Sequence, residues 1–133
     1  DISNALEYLG KIMKKRSFVF VMSDFMDNAY LQSLKTLRQK HEVVGVMIHD
    51  EGEAKLPEKG IISMMDFETG TRFSFDAFSK RVRHAFSDAR NRERRRTLDL
   101  FSEARSDLIE LSTSASVSDT LSRYFRQREM RIR

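Results

Sequence analysis

Three short segments of this chain end in side chains that can hold a hard cation or a polar ligand: Ser23-Asp24, His49-Asp50 and Ser112-Thr113. Carboxylates and hydroxyls are hard oxygen donors suited to Mg²⁺ or Ca²⁺. Two carboxylates around Mg²⁺, Asp24 and Asp50, would also suit a hydrolase or phosphoryl-transfer centre. That chemistry needs a nucleophile or base as well, and none is identifiable in the sequence. The plainer reading is that strand ends are polar because loops begin there, with Asp50 a turn residue and Ser112-Thr113 preparing a helix.

A second candidate is cationic. Arg90, Arg92, Arg94, Arg95 and Arg96 crowd one segment, opposed there only by Glu93. Such a run can neutralise phosphates, but no aromatics are interleaved for base stacking. A docking face for an acidic protein is the better expectation, nucleic acid the weaker one, and a solvated helix face the plainest. His41 and His49 flank one strand and stand roughly 26 Å apart at strand rise. With His84 they make no metal cluster, and each is expected at the surface or its boundary. Met13, Met22, Met26, Met47, Met64 and Met65 are expected to fill the core.

The elements that must position these residues follow from hydrophobic patterning. Ile2, Leu6, Leu9, Ile12 and Met13 recur at helical spacing after Asp1 or Ser3, with Lys11, Lys14, Lys15 and Arg16 closing that helix. Residues 17–23, Ser-Phe-Val-Phe-Val-Met-Ser, are almost continuously apolar and predict a strand buried on both faces. Asp27 or Asn28 can cap a helix carrying Tyr30, Leu31, Leu34 and Leu37. Val43-Val44-Gly45-Val46-Met47-Ile48 is a second buried strand. Strand, helix, strand requires a parallel pair with a right-handed crossover.

A polar loop with the single proline, Pro57, leads to residues 61–67 and 71–75, a hairpin around Glu68-Thr69-Gly70. Asp76 can cap a long helix with Phe78, Val82, Phe86, Leu98 and Phe101, polar all round in its middle and so solvent-facing there. Residues 107–113 predict a third parallel strand. Ser116-Val117-Ser118-Asp119 is a capping box opening a last helix with Leu121, Tyr124 and Phe125, and residues 126–133 should fray. The class is α/β: a partial doubly wound sheet of three parallel strands, a β-hairpin and about four helices. Parallel pairing would bring the three polar strand ends to one sheet edge, where α/β proteins bind ligands.

The bulk properties exclude several classes. At 133 residues the chain suits one domain, burying roughly two-thirds of its unfolded surface. It is 40% hydrophobic and 33% charged, with a net charge of +4. There is no cysteine, so disulfides, thiol catalysis and thiolate zinc sites are excluded; this fits a reducing compartment, and the expected location is the cytoplasm. No apolar run approaches the ~20 residues of a membrane helix. No nucleophile elbow, glycine-rich phosphate loop or dinucleotide fingerprint occurs.

The order of these elements resembles the C-terminal part of the bacterial domain-of-unknown-function 58 family, whose members are similar to von Willebrand factor type A domains. The matching strings are Arg16-Ser17-Phe18-Val19-Phe20-Val21-Met22-Ser23-Asp24-Phe25, His41-Glu42-Val43-Val44-Gly45-Val46, and Leu56-Pro57 leading to Asp66-Phe67-Glu68-Thr69-Gly70. Asp107-Leu108-Ile109-Glu110-Leu111-Ser112-Thr113 and Leu121 with Tyr124-Phe125-Arg126 complete them. The resemblance implies a metal-ion-dependent adhesion site built from a D-x-S-x-S motif, a threonine and a T-D-G-like motif. Only the last is present, as Ser23-Asp24-Phe25 with Phe25 in place of glycine. Asp1-Ile2-Ser3-Asn4-Ala5 resembles the first motif superficially, but it lacks the final serine and a preceding strand.

Residues 1–133 are therefore expected to be a single domain lacking its first strand and that strand's metal motif. Asp24 and Ser23 would be an incomplete site, without a cofactor in this chain and with Mg²⁺ only in a longer protein. The strand at 17–23 would have an open edge that invites a second copy. The resemblance also implies a partner, because family members are often encoded beside MoxR-type AAA+ ATPases. The expected function is a non-enzymatic interaction module.

Overall fold

In the computed structural model the described residues are 1–27, 29–53, 55–58, 60–66 and 69–132, with the side chains of Glu53 and Ile132 excepted. The first amphipathic segment forms α1 (Ile2–Ile12) behind Asp1, whose carboxylate accepts from the Asn4 amide at 3.2 Å. The helix stops earlier than its basic run suggests: only Lys11 lies in its last turn, and Met13 is already extended. Lys14, Lys15 and Arg16 belong to the connection into β1 (Phe18–Ser23).

α2 (Leu31–Lys40) starts at Tyr30, whose side chain makes no capping bond among the described residues. Asp27 instead closes the turn before it, accepting from the Ala29 amide at 3.0 Å; the alternative cap, Asn28, lies outside the described residues. β2 (Glu42–His49) and β5 (Asp107–Ser112) complete a parallel sheet of order β1-β2-β5. Phe18 pairs with Glu42, Val44 with Asp107 and His49 with Ser112. β2 is central, and Val43, Val44, Val46 and Met47 are buried across both of its faces.

Alternation along the strands divides the core into two layers. On one face Leu6, Leu34, Leu37, Val19, Val43 and Met47 pack with Phe25, Tyr30 and Phe101. On the other, Val44, Val46 and Ile109 meet Leu121 and Tyr124 of α4 (Val117–Ile132). The predicted doubly wound α/β arrangement is thus present. Gly45 is required by packing: a Cβ there would lie 2.5 Å from the Phe101 ring and 2.6 Å from Leu108.

β1 departs from its expected burial on both faces. Phe18, Phe20 and Met22 are 43, 40 and 69% exposed. α4 covers β2 and β5, and it reaches β1 through Phe125, 6.3 Å from the Phe20 ring, and through Arg128, 4.9 Å above the Phe18 ring. Three more expectations need correction. His41 is not peripheral but only 2% exposed. Of the methionines assigned to the core, Met47 is buried, whereas Met22, Met26 and Met65 are exposed. The basic tail does not fray: α4 continues to Ile132 because Arg128 pairs with Glu42 at 3.0 Å and with Asp107 at 3.2 Å. Arg133 lies outside the described residues.

The hairpin comprises β3 (Ile61–Met65) and β4 (Arg72–Asp76), antiparallel and separate from the main sheet. Its turn places Gly70 at φ 70°, with the Gly70 amide on the Asp66 carbonyl at 2.7 Å. The predicted turn residues Phe67 and Glu68 fall outside the described residues. α3 (Lys80–Glu103) is capped by Ser79, which accepts from the Val82 amide. Asp76, the expected cap, bonds the Phe78 amide instead. Residues 91–96 are exposed without interruption, as the polar mid-helix predicts, before Thr97 and Phe101 turn into the core.

Candidate functional site

Because β1, β2 and β5 are parallel, their carboxyl ends share one edge. Ser23, Asp24, Ile48, His49, Asp50 and Thr113 line one cleft there, of about 540 Å³. The convergence expected of Ser23-Asp24, His49-Asp50 and Thr113 is therefore present. Ser112, by contrast, is buried beside it.

The chain leaves β1 through a tight reversal. Ser23 Oγ accepts from the Phe25 amide at 3.1 Å, and Asp24 Oδ1 accepts from Ser23 Oγ and the Met26 amide, each at 3.3 Å. Phe25 sits at φ 55°, the left-handed region that a glycine enters without steric cost. Its ring offsets that strain by burial: it is 3% exposed and packs 5.1 Å from the Phe101 ring and 5.8 Å from Tyr30. Beneath the reversal Tyr30 is wholly buried, and burial pushes its hydroxyl above the ordinary tyrosine value.

Asp50 is committed on both oxygens. Oδ1 accepts from the Gly52 amide at 2.7 Å, and Oδ2 accepts from Thr113 Oγ1 at 3.0 Å across the sheet edge. Ser114 Oγ reaches Glu51 at 3.2 Å and Ser112 Oγ at 2.8 Å. His49 Nδ1 is buried without a hydrogen-bond partner among the described residues.

A cation would need several convergent oxygens. Asp24 turns one oxygen into its own loop, and each Asp50 oxygen already accepts one hydrogen bond. Among the described residues no three His, Asp or Glu side chains group to hold a metal. The residues present therefore do not fit a complete metal shell, and no step through a metal follows from them.

The five arginines divide. Arg90 folds back, 3.3 Å from Glu93, 3.7 Å from the Met26 sulfur and 5.7 Å above the Phe86 ring. Arg94 grips Glu110 of β5 with Nε and Nη2, which raises its pKa above the ordinary arginine value. Arg92, Arg95 and Arg96 are exposed and form no ion pair among the described residues.

Two clusters were not visible in the sequence. At the amino ends of the strands Glu42 meets Arg16 at 2.8 Å, Arg128 at 3.0 Å and Arg38 at 3.6 Å. Asp107 meets Arg128, Arg131 and, at 2.9 Å, the Tyr124 hydroxyl. The arginines hold the Glu42 carboxyl below the ordinary glutamate value; burial and Asp107 push the Tyr124 hydroxyl up. The available signal was that both acids open strands. The second cluster is a cavity of about 330 Å³ between α1 and α2, walled by Leu6, Gly10 and Leu37 and closed by His41. Neither His41 ring nitrogen has a partner among the described residues.

A family model described as "Protein of unknown function DUF58" matches residues 1–96. An uncharacterized protein of Mycobacterium tuberculosis is 27% identical over 79 residues, covering 57% of this chain and 25% of the relative. An uncharacterized protein of Mycobacterium avium is 29% identical over 80 residues, covering 58% of this chain and 47% of the relative. The chain thus spans between a quarter and about half of the length of these relatives. No solved structure matches.

Proposed function

The chain belongs to the DUF58 family, and on that premise we propose that it acts as a non-enzymatic protein-interaction module in the cytoplasm. The observation that carries this reading is the face of α3 on which Arg92, Arg95 and Arg96 remain exposed and without ion pairs among the described residues. The other two arginines of the run are consumed by internal contacts. Cations held on a rigid helix suit an acidic partner surface, where rim charges set association rate and partner choice. The resemblance to von Willebrand A-like, MoxR-associated proteins makes a MoxR-type AAA+ ATPase the partner to test.

Pull-down with that ATPase, comparing the protein with R92E/R95E/R96E, should show a loss of about tenfold or more. Binding that survives triple reversal removes the helix from the interface. Hydrolysis by Asp24 and Asp50 around Mg²⁺ is the rival; phosphatase turnover with Mg²⁺ that disappears in Asp24→Asn would establish it instead. The open edge of β1 supports a further contact with a second copy. A clean monomer in size-exclusion chromatography with light scattering at high concentration would remove that contact.

A further inference from the structure

In a parallel sheet with crossover helices, every helix that follows a strand returns to the amino edge, so helix ends collect there. This chain loads that edge with cations. Lys11 and Lys14, Lys15 and Arg16 stand at and beyond the end of α1; Arg38 and Lys40 end α2; Arg105 follows α3; Arg128 and Arg131 end α4. The ion pairs of Arg16, Arg38 and Arg128 to Glu42, and of Arg128 and Arg131 to Asp107, place three of these segments against the first residues of β2 and β5. Glu42 and Asp107 are shared among four arginines, and Glu103 is taken by Lys35. Lys11, Lys14, Lys15 and Lys40 are exposed and form no ion pair among the described residues.

Cations near helix carboxyl ends also balance the helix dipole. That does not account for Lys14 and Lys15, which lie beyond the last turn of α1. Nor does it account for the apolar side chains left open at the same edge. Ile12, the last residue of α1, is 51% exposed; Met130, in the last turn of α4, is 70% exposed; Phe18, the first residue of β1, is 43% exposed.

We propose that this amino edge is a peripheral docking surface for an anionic phospholipid bilayer. Lysines and arginines at such a surface are drawn to acidic headgroups, while aliphatic side chains beside them enter the headgroup boundary. Among the described residues no helix is long and apolar enough to cross a membrane; the contact proposed for this edge is with the bilayer surface. Nucleic acid fits less well. A single strand needs an aromatic face for stacking, and the Phe18 ring carries the Arg128 guanidinium 4.9 Å from its centroid; a duplex would use the cations alone and leave Ile12 and Met130 in water. Ile12 and Met130 offer no stacking plane. The α3 face proposed for an acidic partner carries Arg92, Arg95 and Arg96, none of which belongs to this edge, so the two proposals stand or fall separately.

The test is co-sedimentation with vesicles of phosphatidylcholine alone and of equal parts phosphatidylcholine and phosphatidylglycerol, with a fluorescent DNA duplex measured in parallel. Retention on the anionic vesicles and not on the neutral ones is expected, weakening as salt rises. K14E/K15E should reduce partitioning about tenfold or more. I12S/M130S should reduce it severalfold while leaving any DNA retention unchanged. Both pairs are exposed, so thermal midpoints should match the parent; if either variant melts early, K14Q/K15Q, read for a smaller drop, takes its place. Absence from anionic vesicles at low salt, indifference of vesicle binding to both variant pairs, or tighter binding of the duplex than of vesicles would overturn the proposal.

Discussion

At the carboxyl ends of β1, β2 and β5, polar side chains bond mainly within their own turns, as Asp24 does to the Met26 amide and Asp50 to the Gly52 amide. At the amino ends, Glu42 and Asp107 bond arginines and a tyrosine drawn from α2, α4 and the approach to β1. The reversal after β1 is organised locally, the β2 and β5 ends are joined by neutral or single-charge bonds such as Thr113 to Asp50, and the amino end is held by ion pairs among three segments. Local hydrogen bonds shape a cleft but tie few elements together. Guanidinium–carboxylate bonds between distant segments, with Arg128 bridging Glu42 and Asp107, fix how α4 sits on the sheet. The exposed polar side chains of the cleft are consequently where substitutions should be tolerated, and the acids of the amino edge are where they should propagate; Phe25 beneath the cleft belongs to the core.

The largest effect expected is apolar and lies at the cleft. Phe25→Ala removes a buried ring from the core while keeping the left-handed backbone, and should lower unfolding free energy by about 3–5 kcal/mol in urea titration. A loss below about 1 kcal/mol would mean the reversal after β1 is held by its hydrogen bonds rather than by the ring. Next comes the amino edge. Glu42→Gln leaves Arg16, Arg38 and Arg128 facing a neutral amide and should cost about 1–2 kcal/mol at neutral pH, discounted for partial exposure.

The same carboxylate gives a pH signature. Its folded pKa is depressed below the ordinary 4.5 by Arg128 and Arg16, so its stabilisation is full above that value and fades as pH falls through the lowered one. Between neutral pH and that acid range the gap between parent and Glu42→Gln in thermal midpoint should therefore shrink. A constant gap would assign the loss to packing rather than charge. The smallest effects are predicted for the strand-end acids. Asp50→Asn should cost less than about 1 kcal/mol, and Asp24→Asn less than about 0.5 kcal/mol. Added Mg²⁺ should leave the thermal midpoint unmoved; a rise that vanishes in Asp24→Asn would show a working metal site and reverse the contrast between the two ends.

Much of this was legible in single residues. The apolar runs at 17–23 and 43–48 read as strands, and the helix between them required parallel pairing, which brought Asp24, Asp50 and Thr113 to one cleft. Gly70 marked the hairpin and Ser116 the start of the last helix, where its hydroxyl accepts from the Asp119 amide. The stumbles share a cause. β1 reads like β2 because composition does not say which strand is central; β1 lies at the sheet edge, where α4 reaches it only through Phe125 and Arg128, so one face is left partly open. His41 reads as a boundary residue because its burial depends on α1 packing across α2. The tail reads as frayed because Arg128 finds Glu42 from a position 86 residues away, a pairing no local pattern encodes.

By itself the sequence determined the element order, the α/β class, the polar strand ends and the arginine run, since periodicity, turn residues and chain reach act over a few residues. Tertiary structure alone decided which arginines lack ion pairs among the described residues, which strand face is left bare, and that Asp50 accepts from Thr113 across the sheet edge. Those outcomes depend on competition among groups far apart in the chain, and only the packed sheet brings the competitors within hydrogen-bond reach.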